Sequence, residues 1–411
     1  MKRICFILSF SLLLVASGCE ASPSSKRIAG LDAEVGLQVR SLKTGKVLYA
    51  HNANKTFIPA STLKIFTAAT ALSKLKPSYR FETQVFHRGG TLYLKGSGDP
   101  EFSVHELDDL AGRVKQLVHQ RINRIIVDAS VFDKNYCGQG WSDDDSHNGY
   151  AAPVAGINVN YNRIVLGFLP GKKVIVDPLT RYVDLKTSKG VFKLQGHGVS
   201  VSGKIPRVTK PWYKTYAIKD PIQWAGFLFE EALRRADVKL SKKVLIQAGK
   251  VPTKLEPVTS SFSPYLSEIL ISSMKFSQNL ENEAVLKTLG DGSFEKGLKA
   301  VRAFAGPDFK IVDGSGLSRM SKITPDQMTQ FLVRIAGDFE TNPEFMTSLP
   351  IGGEDGTLKD IFLSEPFRGS IRAKTGHMRD IYCLAGYYHK PNGEIVAFSL
   401  FSNKLKSSKK N

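Results

Sequence analysis

Cysteine is scarce in this chain: four among 411 residues, at Cys5, Cys19, Cys137 and Cys383. None forms a C-x-x-C pair, and the eight histidines show no HExxH spacing, so the sequence offers no argument for zinc or another metal. Long apolar runs are also missing. The one candidate, "ICFILSFSLLLVA", is too short to span a membrane and stay there. With Lys2 and Arg3 before it and the small residues of "ASGCEAS" after it, residues 1–18 read as a secretory signal. Two endings fit. "ASGC" is a lipobox, Cys19 the acylated first mature residue and 19–27 a tether to the membrane; or cleavage falls nearby, after "CEA", and leaves a soluble secreted protein. Either way Cys5 is lost, and Cys137 and Cys383 are expected as buried free thiols rather than a disulfide framework. The third shortage is of acid. Asp and Glu number 38 against 57 Lys and Arg, a formal charge of +19. Outside the cytoplasm that balance favours polyanions such as lipid headgroups or wall polymer. Export and the dispersal of the lysines argue against a nucleic-acid partner. The basic tail at 406–411 reads as a solvated end.

What remains is enough for a full core, 42% hydrophobic and 10% aromatic, in two domains. "GLQVRSLKTGKVLYAHNANKTF" alternates on both sides of "KTGK" and predicts a hairpin. Helical periodicity follows at 61–75, then again at "ELDDLAGRVKQLVHQRI". From about 133 to 215 the text is rich in strands and turns. Helices return at "DPIQWAGFLFEEALRRADV" and persist to "PDQMTQFLVRIAG". The chain closes on the strands "SIRAKTG", "IYCLAGYYH" and "EIVAFSLFSN". Strands at both ends with helices between predict an α/β (α+β) domain whose antiparallel sheet is joined from both termini. That domain is placed at 28–86 and 217–405, with 87–216 as an inserted, mostly-β domain.

Ser-x-x-Lys recurs five times and carries nothing alone. Only Ser61/Lys64 stands at a helix start and is followed in order by Ser277/Asn279 and then by Lys374-Thr375-Gly376 on a closing strand. A lysine three residues along a helix lies one turn from the serine, and its long side chain can fold back onto the hydroxyl. Among Leu63, Ile65 and Phe66 it is expected to be desolvated, which favours the neutral amine that a base requires. The plain alternative is a lysine that snorkels to water.

With "GSGDP" at 96–100, "YAAPVAGINVNYN" at 150–162, "DGSGLSR" at 313–319, "LPIGGEDGTL" at 349–358 and "RAKTG" at 372–376, the chain from about 28 to 403 resembles the class C low-molecular-mass penicillin-binding proteins. These are D-alanyl-D-alanine carboxypeptidases and endopeptidases. The resemblance implies a penicillin-binding transpeptidase/β-lactamase-like fold without a cofactor, acting in the periplasm on peptidoglycan peptides and acylated by β-lactams. It implies Ser61 as nucleophile, Lys64 as its base, Ser277 as the relay to the leaving nitrogen, and Asn279 on the substrate amide. Lys374 and Thr375 would meet the terminal carboxylate, Gly376 would admit peptide close to the strand, and the amides of Ser61 and His377 would hold the oxyanion.

His377 departs from the hydroxyl residue usual there. It either donates in that residue's place, favours a cross-linked substrate, or points to solvent. In "GWSDDDSHNGY", Trp141 and Asp144 are expected to read the ammonium end of diaminopimelate, with Asp143 and Asp145 as rivals and a solvated turn as the plain alternative. Lys359, Arg368 and Arg372 all remain open as partners of the substrate carboxylate. Two other functions stay in view: a wall-binding protein that keeps the fold without turnover, and a β-lactamase, which the long stretch between Lys64 and Ser277 disfavours.

Overall fold

The structure, a computed structural model, describes residues 33–306 and 308–405. The signal, Cys19 and the tail lie outside those residues. In chain order the first strands are β1 (Glu34–Ser41), β2 (Val47–His51), β3 (Glu82–Arg88), β4 (Thr91–Lys95), β5 (Ile122–Asp128), β6 (Arg163–Leu169), β7 (Lys173–Asp177) and β8 (Val183–Ser188). There follow β9 (Val191–Gly196), β10 (Val199–Lys204), β11 (Trp212–Ala217), β12 (Leu240–Ala248), β13 (Pro257–Phe262), β14 (Ile371–Met378), β15 (Ile381–His389) and β16 (Ile395–Asn403). The α-helices are α1 (Lys64–Leu75), α2 (Val104–Leu117), α3 (Pro221–Arg235), α4 (Leu266–Lys275), α5 (Asn279–Leu289), α6 (Phe294–Ala305), α7 (Pro325–Ala336) and α8 (Asn342–Ser348). The chain divides into two compact units.

Of the described residues, the first unit holds those up to Tyr79, Tyr265–Asn282, and those from Leu298 onward. Its sheet runs β14-β15-β16-β1-β2, each neighbour antiparallel, so β1 from the front of the chain lies beside its last strand. Alternation along β1 sorts its side chains. Val35, Leu37 and Val39 join a core with Leu358, Phe362, Phe367, Phe398 and Leu400. On the opposite side Gln38 receives a hydrogen bond from Thr329 of α7. Helix α7 starts cleanly because Thr324 caps it, Gln327 returns the bond and Pro325 fits its first turn. Helix α1 is buried from Lys64 to Leu72, and Phe66 packs against Phe331 and Phe309 with centroids 4.6 and 4.9 Å away. A helix apolar all round is a central one.

The second unit comprises Arg80–Pro264 and Glu283–Gly297. Its mixed sheet runs β12-β5-β4-β3-β13, with β5 parallel to both neighbours. Two three-stranded antiparallel sheets, β10-β9-β8 and β11-β6-β7, complete it. Helices α2 and α3 supply Leu107, Leu110, Trp224, Leu228 and Phe229 to one core with Leu92, Ile125, Leu166 and Leu194. The buried Trp224 indole donates to Val159 O at 2.9 Å.

These boundaries differ from 87–216. Residues 217–264 belong to the second unit because β12 pairs with β5 and β13 with β3. Those long-range pairings leave no mark in local periodicity. Cys137 also differs from expectation: both thiols are free, but Cys137 is exposed and only Cys383 is buried. No helix among the described residues is long and apolar enough to cross a membrane.

Candidate active site

Ser61 sits in a 3₁₀ turn, Ala60–Leu63, that runs into α1. The turn is entered through Ala60 at φ +47°, a left-handed conformation unusual for a residue with a Cβ. Lys64 is fully buried, so the snorkelling alternative fails. Its Nζ lies 2.7 Å from Asn279 Oδ1, 2.7 Å from Ser315 O and 3.0 Å from Ser61 Oγ. An amide oxygen and a backbone carbonyl can only accept, and they occupy two N–H groups of the amine. The amine also faces the Ser61 hydroxyl. A neutral amine there presents its lone pair to that O–H.

The Ser315 carbonyl is held by the "DGSG" loop. Asp313 is buried and its carboxylate accepts from Gly316 N at 3.2 Å and Ser318 N at 2.7 Å, while Thr67 of α1 donates to Gly314 O at 2.8 Å. Gly316 is required twice over. Its φ is +76°, and a Cβ would lie 1.9 Å from Ala60 O.

Helix α4 ends in a Schellman turn: Gln278 N–H reaches back to Ser273 O at 3.0 Å and Ser277 takes φ +60°. Glycine is the usual residue there. Serine stands in its place, and Ser277 Oγ accepts from Lys374 Nζ at 2.8 Å. Asn279 follows as the first residue of α5.

Lys374, fully buried on β14, also donates to Thr375 O at 2.9 Å. Burial first, and the neighbouring Lys64 charge second, hold its amine well below the ordinary lysine range. Gly376 packs against the serine turn; a Cβ there would stand 2.8 Å from Pro59 O and 3.1 Å from Ala60 Cβ. His377 is exposed, its ring centroid 4.5 Å from that of Tyr382, and partial burial lowers its pKa.

Ser61, Lys64, Ser277, Asn279, Lys374, Thr375 and Gly376 therefore gather in one unit. Trp141 and Asp144 belong to the other, on an exposed acidic stretch where Asp143–Asp145 form a 3₁₀ turn. There Tyr150 donates to Asp145. Of the open carboxylate partners, Arg368 pairs with Glu354 at 2.9 Å, Lys359 is exposed, and Arg372 is half-buried on β14. The ordered motifs did not point to two contributors: the Ser315 carbonyl, and Thr357, whose hydroxyl lies 2.7 Å from that of Thr375. Both fall inside segments, "DGSGLSR" and "GGEDGTL", whose glycines mark close backbone approach.

A buried lysine against a serine one helical turn away, beside a second serine–lysine pair, is an arrangement that suits serine acyl transfer. Residues 26–411 match the model of the D-Ala-D-Ala carboxypeptidase 3 (S13) family. The chain belongs to that family and is a serine-type D-Ala-D-Ala peptidase. It is 30% identical to a D-alanyl-D-alanine carboxypeptidase of Actinomadura sp. (strain R39), over 90% of this chain and 77% of the relative. It is 26% identical to the D-alanyl-D-alanine carboxypeptidase DacB of Haemophilus influenzae, over 96% and 90%. Its fold matches the crystal structure of penicillin binding protein 4 from Haemophilus influenzae with a TM-score of 0.80, covering 95% of each chain at 24% identity. A predatory endopeptidase of Bdellovibrio bacteriovorus shares the fold more distantly, TM-score 0.53, over 90% of this chain and 87% of that one at 15% identity.

Proposed function

We propose that this peptidase trims peptidoglycan stem peptides outside the cytoplasm through an acyl-enzyme on Ser61, releasing terminal D-alanine or opening D-alanyl cross-links. The observation that carries the residue assignment is the buried Lys64 amine, held by two strict acceptors with its Nζ 3.0 Å from Ser61 Oγ. Ser61 Oγ attacks the penultimate D-alanine carbonyl as its proton passes to Lys64 Nζ. The oxyanion rests on the backbone N–H groups of Ser61 and His377. Ser277 gives its proton to the leaving nitrogen and is reprotonated by the amine pair, with Lys374 directly behind it. Water then attacks the ester, its proton returning along the same route. The terminal carboxylate is held by Thr375, by the charge of Lys374 and by His377. Asp144 and Trp141 read the diaminopimelate ammonium. Cys19 carries a lipid that ties the protein to a membrane.

Mass spectrometry after exposure to a fluorescent penicillin tests the assignment. One adduct on the Ser61 peptide, absent in Ser61→Ala, is expected, together with D-alanine or opened cross-links from muropeptides. An adduct elsewhere, or none in folded protein, overturns it.

A further inference from the structure

Three residues before Ser61, the main chain of Ile58 is gripped by a single side chain. Ile58 N–H donates to Asn403 Oδ1 at 2.8 Å, and Asn403 Nδ2 donates back to Ile58 O at 3.1 Å. The Cys383 thiol on β15 donates to the same carbonyl at 3.4 Å. Asn403 is the last residue of β16 and is 6% exposed. Its planar amide reproduces both bonds of a sheet ladder where no strand exists. On the chain's other side Phe57 exchanges two bonds of 2.9 Å with Ile323.

Past these anchors the chain must enter the left-handed conformation at Ala60 and then tighten into the 3₁₀ turn. Such a conformation is costly for a residue with a Cβ and persists only where the surroundings over-determine it. Thr62 adds N–H and Oγ1 bonds to Pro59 O at 3.3 and 2.7 Å. Asparagine suits the task in a way its neighbours in size do not. Aspartate keeps the acceptor for Ile58 N–H but sets a second acceptor against Ile58 O. Alanine leaves Ile58 N–H unpaired and Ile58 O with only the weak thiol donor of Cys383.

We propose that Asn403 is a positioning residue for acyl transfer. Through Ile58 it fixes the depth of Ser61 between Lys64 and β14, and with it the direction of the Ser61 N–H. This rests on the reading of Ser61 as the acylated nucleophile.

The test compares the full chain with Asn403→Ala and Asn403→Asp, measuring the acylation rate constant with a chromogenic β-lactam, the KM for a D-alanyl-D-alanine peptide, and Tm. In both variants acylation falls 10- to 100-fold while KM stays within threefold. In Asn403→Asp a protonated carboxyl regains the donor toward Ile58 O, so the variant-to-parent rate ratio rises several-fold between pH 7 and pH 5. A lowered Tm with unchanged acylation, or a ratio flat with pH, overturns the proposal. Where Asn403→Ala fails to fold, the isosteric Asn403→Asp decides the question by itself. Failure of the parent to acylate at Ser61 sinks the nucleophile assignment itself; normal parent acylation with a flat ratio sinks the clamp alone.

Discussion

At the scale of single residues, Ser277 and Lys374 are each unfavourable for stability where they stand. Ser277 holds a left-handed conformation at a helix end, so Ser277→Gly relieves roughly 1 kcal/mol of backbone strain. The expected outcome is an unchanged or higher Tm together with a turnover loss of about 10²–10⁴, the range of a general acid. A variant that retains turnover overturns the relay role. For Lys374 the sign follows from linkage. Its folded pKa is depressed, so between that value and the unfolded lysine range the unfolded chain binds more protons, and stability rises with pH through that window. In Lys374→Met this component of the rise vanishes, which thermal unfolding at several pH values reads directly. The same substitution removes one of two mutually repelling charges, so the acid limb of the penicillin acylation profile moves to higher pH.

At the scale of elements, the "DGSG" loop supports Lys64, the proposed base. Gly316→Ala drives a Cβ into Ala60 O and places alanine at positive φ, destabilising by more than about 1 kcal/mol. Acylation is expected to fall at least tenfold, because the Ser315 carbonyl that orients Lys64 shifts with it; wild-type acylation rates would refute the support role. The sequence disclosed what has local period or fixed order. The β1–β2 hairpin, helix α1, the closing strands and the three ordered motifs were all legible. Asn403 and Thr357 were not, because they act across 345 and 18 residues of chain with nothing periodic to announce them. The edges of the second unit were hidden for a related reason. Strands β12 and β13 read locally like any others, and only their partners β5 and β3 assign them.

At the scale of the whole molecule, each unit has a core of its own, and the proposed chemistry and the proposed diaminopimelate reader sit in different ones. Changes to the acidic turn should therefore separate substrate selection from acyl transfer. Asp144→Asn is expected to raise KM for diaminopimelate-bearing peptides while leaving penicillin acylation within twofold. Equal kinetics on peptides with and without that side chain would remove Asp144 from the role, and an effect confined to Asp143→Asn or Asp145→Asn would reassign it.

The seating of β1 between β2 and β16 sets a schedule as well as a shape. A ribosome that has delivered Ser61 and Lys64 has yet to deliver the strands bearing Lys374 and Asn403, so the hairpin at the front waits, half of its pairing unmet, for nearly the entire polypeptide. The proposed nucleophile is thereby delivered long before the segments proposed to arm it: a chain cut short of β14 and β16 would hold Ser61 without Lys374 or Asn403.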